Sequence, residues 1–343
     1  MLPKRSARKK RIFAKMPSDD SRKPNYSRRF MWLALFIVVL FGGYSLGWFY
    51  LADKLEAQAK SRIAALNHDG VTADCANPVA RGFPFRLGLF CDRVAFTDPA
   101  RGISITAGSF RSVGQIYDPA HLIAELDGPA RIDVPQARSL ALAWGNLRAS
   151  VRLSQPLPQR VSLEGSQLNA DTTDGAHLAT VETFEGHMRP NGADVDLAGT
   201  FSSLSLDPSV VDGRTVPPLS GETDLTINNG VQLIGSRTQS LRGQSGTIHT
   251  LDLSTAQTTG LSLSGPFSVD QDGLLDGDFK VKVRDPQGLA TVLGGVLPEK
   301  SREIHQGFMG LSLLGREPSL PLKIVKGKAS LGFIKLGQVP PLQ

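Results

Sequence analysis

Phe30-Met-Trp-Leu-Ala-Leu-Phe-Ile-Val-Val-Leu-Phe-Gly-Gly-Tyr-Ser-Leu-Gly-Trp-Phe-Tyr-Leu51 holds twenty-two residues and no charge. At about 1.5 Å of rise per residue, a helix of that length crosses the ~30 Å hydrocarbon core of a bilayer. Residues 30–51 are therefore expected to form a transmembrane helix. The segment before them is short and basic, and residues 52–343 have the texture of a folded domain.

Charge supports this division. Residues 1–29 carry eleven Lys and Arg against Asp19 and Asp20, a net of +9. The whole chain is +6, which leaves −3 for the remainder. The high sequence pI of about 9.4 thus belongs to the tail, and a basic groove for nucleic acid is not indicated. Positive charge directly before a span marks the cytoplasmic side, so residues 1–29 are expected as a cytoplasmic tail and residues 52–343 across the membrane. The tail is also suited to anionic headgroups. Ala57-Gln58-Ala59 has the small-x-small form of a signal cleavage site, but it lies well past an apolar run longer than a signal core, so retention as an anchor is expected.

Cys75 and Cys91 are the two cysteines, both beyond the span. An even pair in an oxidising compartment is most simply a disulfide. No His or Cys stands nearby at ligand spacing, and there is no C-x-x-C.

From Ala52 to Asn67 the apolar residues Leu55, Ala59, Ile63 and Leu66 recur at helical steps, with Gly70 as a stop, giving a membrane-proximal helix within residues 52–70. From Val71 onward, short alternating segments separated by Gly, Asp-Gly and Pro predict strands, among them 102–106, 225–227 and 279–283. Asp272-Gly273 and Asp276-Gly277 are expected as turns. A loose Leu-x-Gly echo recurs at 163–165, 197–199, 219–221, 263–265 and 275–277, suggesting successive strands whose backbone bends at the glycine. Asp118-Pro119 through Leu126 has the form of a short capped helix, Asp285-Pro286 opens another, and Glu299–Leu314 a third. The chain closes with a hairpin at 322–325 and 329–333. The expected fold class is α+β and β-rich: a largely antiparallel, curved sheet over residues 71–343 with a few covering helices.

Several longer stretches carry a resemblance: Ala80-Arg-Gly-Phe-Pro-Phe-Arg86 before Cys91, Tyr117 to Glu125, Trp144-Gly-Asn-Leu147 with Ala149-Ser150, Gly327 to Gly332, Leu336-Gly337 and Pro340-Pro-Leu342. With one N-terminal span, they resemble a family of membrane-anchored envelope proteins of alphaproteobacteria, catalogued as a domain of unknown function (family 2125). The resemblance implies a single-span inner-membrane protein with a periplasmic domain, and it brings no activity, cofactor or catalytic residue. Gly82-Phe-Pro-Phe85 and the Gly-punctuated strands also have the style of AsmA-like and tubular lipid-binding domains, which hold acyl chains in an apolar groove.

The candidate contacts are few. Phe83, Pro84 and Phe85 suit a lipid- or partner-contacting wedge, although alternate aromatics beside a disulfide are more simply core. His121 and Glu125 would share a helix face, as a polar site or an ordinary surface pair. Gly42, Gly43 and Gly47 permit self-association in the membrane. Gly294 to Ser301 is a near miss for a phosphate-binding loop, with Glu299 in a glycine position, and Asp270 to Asp278 lacks the terminal Glu of a calcium loop. Neither H-E-x-x-H nor G-x-S-x-G occurs. The expected function is non-enzymatic, without a cofactor: a binding or scaffolding domain that takes membrane lipid in an apolar groove. An envelope hydrolase and an assembly factor gripping another envelope protein are the alternatives.

Overall fold

The computed structural model describes residues 26–135, 138–235, 240–256, 259–332 and 334–342. The basic tail expected at 1–29 falls almost wholly outside them. The apolar stretch lies in one continuous helix, α1 (Tyr26–Leu66), whose run from Ser27 is long and apolar enough to cross a membrane. Its most apolar window is not buried within the protein at all. The helix ends at Leu66, and Asp69 and Gly70 turn the chain in left-handed conformations. The chain divides into two compact units, residues 1–49 and 50–343, and the rest of the fold belongs to the second.

Among the described residues, the strands of the second unit form one antiparallel sheet of twenty. The first ten join end to end into five broken arms. These are β1 (Thr72–Cys75) with β2 (Val79–Arg81), β3 (Arg86–Cys91) with β4 (Val94–Asp98), β5 (Ile103–Ala107) with β6 (Phe110–Gln115), β7 (Asp118–Leu126) with β8 (Ala130–Asp133), and β9 (Leu140–Ala143) with β10 (Asn146–Arg152). The later arms are single strands: β11 (Arg160–Thr172), β12 (His177–Asn191), β13 (Asp194–Leu206), β14 (Leu219–Ile227), β15 (Ser245–Ala256), β16 (Thr259–Val269), β17 (Leu275–Arg284), β18 (Ser319–Val325), β19 (Lys328–Leu331) and β20 (Ile334–Gln338). Each interior arm pairs with the arm before it and the arm after it, so the sheet is an up-and-down meander.

The breaks align into a crease. Strands β3 and β6 pair Arg86 with Gln115 and Cys91 with Phe110; beyond the break, β4 and β5 pair Val94 with Ala107 and Asp98 with Ile103, in the same register. The line continues through Gln167 and Ser203, both held at positive φ. The Asp127 carboxylate anchors it, receiving two bonds from Arg111 at 2.9 and 2.7 Å and one from the Ser109 hydroxyl. Trp144 donates its indole N–H to the Leu126 carbonyl at 2.7 Å. Cys75 and Cys91, whose Cα atoms are 5.3 Å apart, form the expected disulfide and tie the edge arm to its neighbour at the crease.

The stretch 118–126 is a strand, not the short helix its Asp-Pro opening suggests. Both neighbours supply ladder partners, Ala124 facing Ser112 on one side and Ala149 on the other, and tertiary pairing outweighs the local helix signal. Asp276-Gly277 likewise sits inside β17 rather than in a turn, whereas Asp272-Gly273 does turn the chain between β16 and β17. Of the later helices, the two opening at Asp285-Pro286 and within Glu299–Leu314 form as expected, and a short one at Gly230–Gly235 is not expected from the sequence. They are α2 (Gly230–Gly235), α3 (Pro286–Val296), capped by Asp285 through the Gly288 N–H at 3.1 Å, and α4 (Ser301–Ser312). The residues of the phosphate-loop near miss lie across α3 and the start of α4. Asp270 accepts backbone N–H groups of Asp272 and Leu274, the pattern of a hairpin turn.

Removing the disulfide with Cys75→Ser and Cys91→Ser is expected to lower unfolding free energy by about 3 kcal/mol, the loop-closure value for a span of this length. Urea denaturation of the full chain in detergent, with and without the substitutions, measures it.

Candidate functional site: the two faces of the sheet

Alternation along each strand separates two faces. On one, three rows of side chains run across the strands. The first reads Val161, Met188, Leu197, Leu225, Ile248. The second reads Leu163, Gly186, Gly199, Thr223, Leu251, Leu263, Val281, Leu320. The third reads Gly165, Phe184, Phe201, Gly221, Leu253, Leu261, Val283. Gly186, Gly199 and Thr223 are small, and large residues flank them on both sides. The middle row therefore forms the floor of an apolar trough between Met188–Leu197 and Phe184–Phe201. A Cβ built on Gly186 would meet nothing within 4 Å, so the trough is open above its floor.

The outer row explains two of the Leu-x-Gly echoes. A Cβ on Gly165 would lie 2.3 Å from the Phe184 ring, and one on Gly221 2.4 Å from the Phe201 ring. These glycines make room for a ring from a neighbouring strand, an aromatic-over-glycine pairing, rather than bending the backbone. Gly265 does take the bent form, at φ +146, with its Cβ position 2.3 Å from the Asp278 carbonyl.

The helices cover only the flanks of this face. Helix α2 touches β13, where Val195 is fully buried, and α3 touches β16 near the buried Val283 and Leu289. Between them, Leu163, Leu251 and Leu253 remain 41, 45 and 44 % exposed.

The other face is polar. Arg111, Glu125, Arg148 and Glu164 form a cross-strand charge ladder with contacts of 3.4, 3.2 and 3.1 Å. Each such exposed pair is worth at most about 1 kcal/mol. His121 and Glu125 do share a face, now because a strand repeats every two residues, but they are not joined: His121 contacts Ser150 at 3.0 Å while Glu125 pairs with the two arginines. Further along, an open hollow of about 700 Å³ is lined by Arg160, His187, Arg189, Asp196, Asp224 and His249 among others. Asp196 accepts from Thr226 at 2.8 Å and from Arg189 at 3.0 Å, and the Thr226 hydroxyl, then Arg189, holds its carboxyl below the usual carboxylate range. Ser162, His187 and Glu185 line up at 3.0 and 3.6 Å, but on a sheet whose backbone N–H groups are engaged in the ladder. Among the described residues no group of three or more His, Cys, Asp or Glu could hold a metal.

Phe83 and Phe85 are not core residues. They sit with Pro84 in the hairpin between β2 and β3 and are 49 and 65 % exposed, because alternation buries a side chain only within a paired strand. Gly42, Gly43 and Gly47 lie on the exposed apolar part of α1, with open space where each Cβ would stand. Sequence reasoning expects an apolar groove but does not place it on Gly186, Gly199 and Thr223; the Leu-x-Gly echo with its alternating Leu is the trace it leaves.

These features define a class: an open antiparallel meander with one apolar and one polar face, on a chain whose described residues include one helix long and apolar enough to cross a membrane. Residues 48–340 match the family described as "Uncharacterized protein conserved in bacteria (DUF2125)", and the chain belongs to it. No curated protein and no solved structure matches.

Two outcomes are expected of substitutions on these faces. Gly221→Val drives a branched side chain into the Phe201 ring and should lower stability by about 1–3 kcal/mol, measured by urea midpoint. The Asp196 carboxyl is depressed in the folded state, so its stabilisation is complete above the ordinary carboxylate range and is lost as pH falls below that range through its lower folded value. Asp196→Asn should therefore narrow the stability difference between pH 7 and pH 3 in paired urea titrations.

Proposed function

We propose that this protein is a single-span inner-membrane protein whose periplasmic domain binds lipid, the acyl chain lying in the Gly186–Gly199–Thr223 trough. The observation that carries the reading is an apolar face that the chain's own helices leave open, with Leu163, Leu251 and Leu253 nearly half exposed. A soluble domain gains from covering such a surface, at about 25 cal/mol for each Å² removed from water. An acyl chain matches a narrow apolar trough better than a globular partner would. The basic tail supports the orientation. The role is one of binding, without chemistry.

A second reading rests on the free edge. Strand β20 pairs only with β19 among the described residues and is exposed throughout, including Ile334 and Leu336. Such an edge suits strand addition by another envelope protein.

Gly186→Leu tests the lipid reading cleanly, because the site has room for a side chain and the substitution fills the trough without adding charge. Native mass spectrometry of the full chain in mild detergent should show phospholipid bound to the natural protein and lost from Gly186→Leu and from Leu163→Lys. Equal lipid retention by all three, with folding intact, would overturn it.

A further inference from the structure

Among the first arms, the hairpins at one end of the meander differ from those at the other. At one end stand Gly82–Phe85, Ile116–Tyr117 and the turn after Arg152, bearing Phe83, Phe85, Tyr117 and Leu153 at 49, 65, 75 and 49 % exposed. At the opposite end, the turns Pro99–Gly102 and Thr173–Ala176 hold no aromatic residue. Arginines gather behind the aromatic tips. The ladder sets Arg152 directly opposite Arg160, and the next register position places Arg160 beside Arg189. Like charges directly opposed on neighbouring strands destabilise a sheet. Asp118 and Asp196 offset the outer two, whereas no carboxylate among the described residues pairs with Arg160.

The direction of the helix segment after Tyr50, which belongs to the same unit as the sheet, tells which way this end faces. The Glu56 carboxylate accepts the Ala80 N–H at 2.7 Å, and the Asn67 side chain accepts the Ala73 N–H at 2.5 Å. The helix segment after Leu51 therefore runs antiparallel to the edge arm. Going back from Glu56 toward Leu51 leads toward Arg81 and the Gly82–Phe85 tip. Leu51, the last residue of the uncharged run, lies only about 7–8 Å along the axis from Glu56. The aromatic tips thus stand level with the point where the chain leaves its apolar run.

We infer that this end of the sheet rests on the bilayer surface, with Phe83, Phe85, Tyr117 and Leu153 in the interfacial layer and Arg152, Arg160 and Arg189 meeting anionic headgroups. Aromatic side chains favour that layer, and a nearby basic row gains from negative lipid. This rests on reading residues 30–51 as a span and goes further than it, because it fixes which end of the sheet meets lipid. The exposed Met309, Leu313 and Leu314 on and after α4 belong to the connection at the other end, and lack that continuity with the apolar run.

The test uses the full chain reconstituted in phosphatidylcholine vesicles, with and without phosphatidylglycerol. An environment-sensitive fluorophore is placed through Phe85→Cys, Tyr117→Cys or, as a control, Asp174→Cys. Probes at 85 and 117 should shift to the blue and be quenched by brominated lipid, more strongly with phosphatidylglycerol, and the probe at 174 should report water. Adding Arg160→Glu should remove the phosphatidylglycerol-dependent part. Tips that report water like residue 174, or that are shielded in native membranes but not in pure lipid vesicles, overturn the inference. Alkaline extraction separates the two ideas: a chain that stays with the membrane while its tips remain wet sinks this inference alone, and a chain that washes out sinks the span as well.

Discussion

An up-and-down antiparallel ladder satisfies the backbone of every interior arm and leaves two edges and two faces to be settled by side chains. The fold is organised by that constraint. At the first edge, Glu56 and Asn67 supply acceptors to strand N–H groups, and the Cys75–Cys91 bond ties the same arm to its neighbour. At the last edge, β20 has only its outward exposure and Lys335. One end of the meander is held firmly and the other is left available.

The faces are settled unequally. Fully or nearly buried apolar side chains such as Val195, Val269, Phe279, Val283 and Ile324 lie toward the flanks and later arms, several of them where short helices close over the strands. Across the middle, ring-over-glycine contacts keep the apolar face well packed within itself while its outer surface stays half exposed. The polar face contributes many weak, solvent-exposed ion pairs. On the proposed reading the same apolar surface serves stability and ligand, and a bound acyl chain would complete a core that the chain leaves open.

Much of this is legible in the residues. The uncharged run from Phe30 to Leu51, the β-texture after Val71, the cysteine pair and the Asp285-Pro286 helix start all carry local signals that the structure follows. Asp118–Leu126 misleads because Asp-Pro is a good helix opening and the decisive fact, two neighbouring strands, is not local. The alternation Ala120, Leu122, Ala124, Leu126 is the better guide. Phe83 and Phe85 escape the core because alternation implies burial only inside a ladder, and these two lie in a hairpin tip. The crease and the trough depend on register, which no single stretch encodes: Gly186 becomes a floor only because Gly199 and Thr223 come to lie beside it.

The central claim is that the open apolar face holds acyl chains, and photo-crosslinking addresses it directly. Cells expressing the full chain would be fed a diazirine-bearing fatty acid, irradiated, and the purified protein mapped by peptide mass spectrometry. The account predicts lipid adducts on peptides of β11 to β15 that carry Leu163, Met188, Leu197 and Leu251. Adducts confined to residues 30–51, with none on those strands, would contradict it.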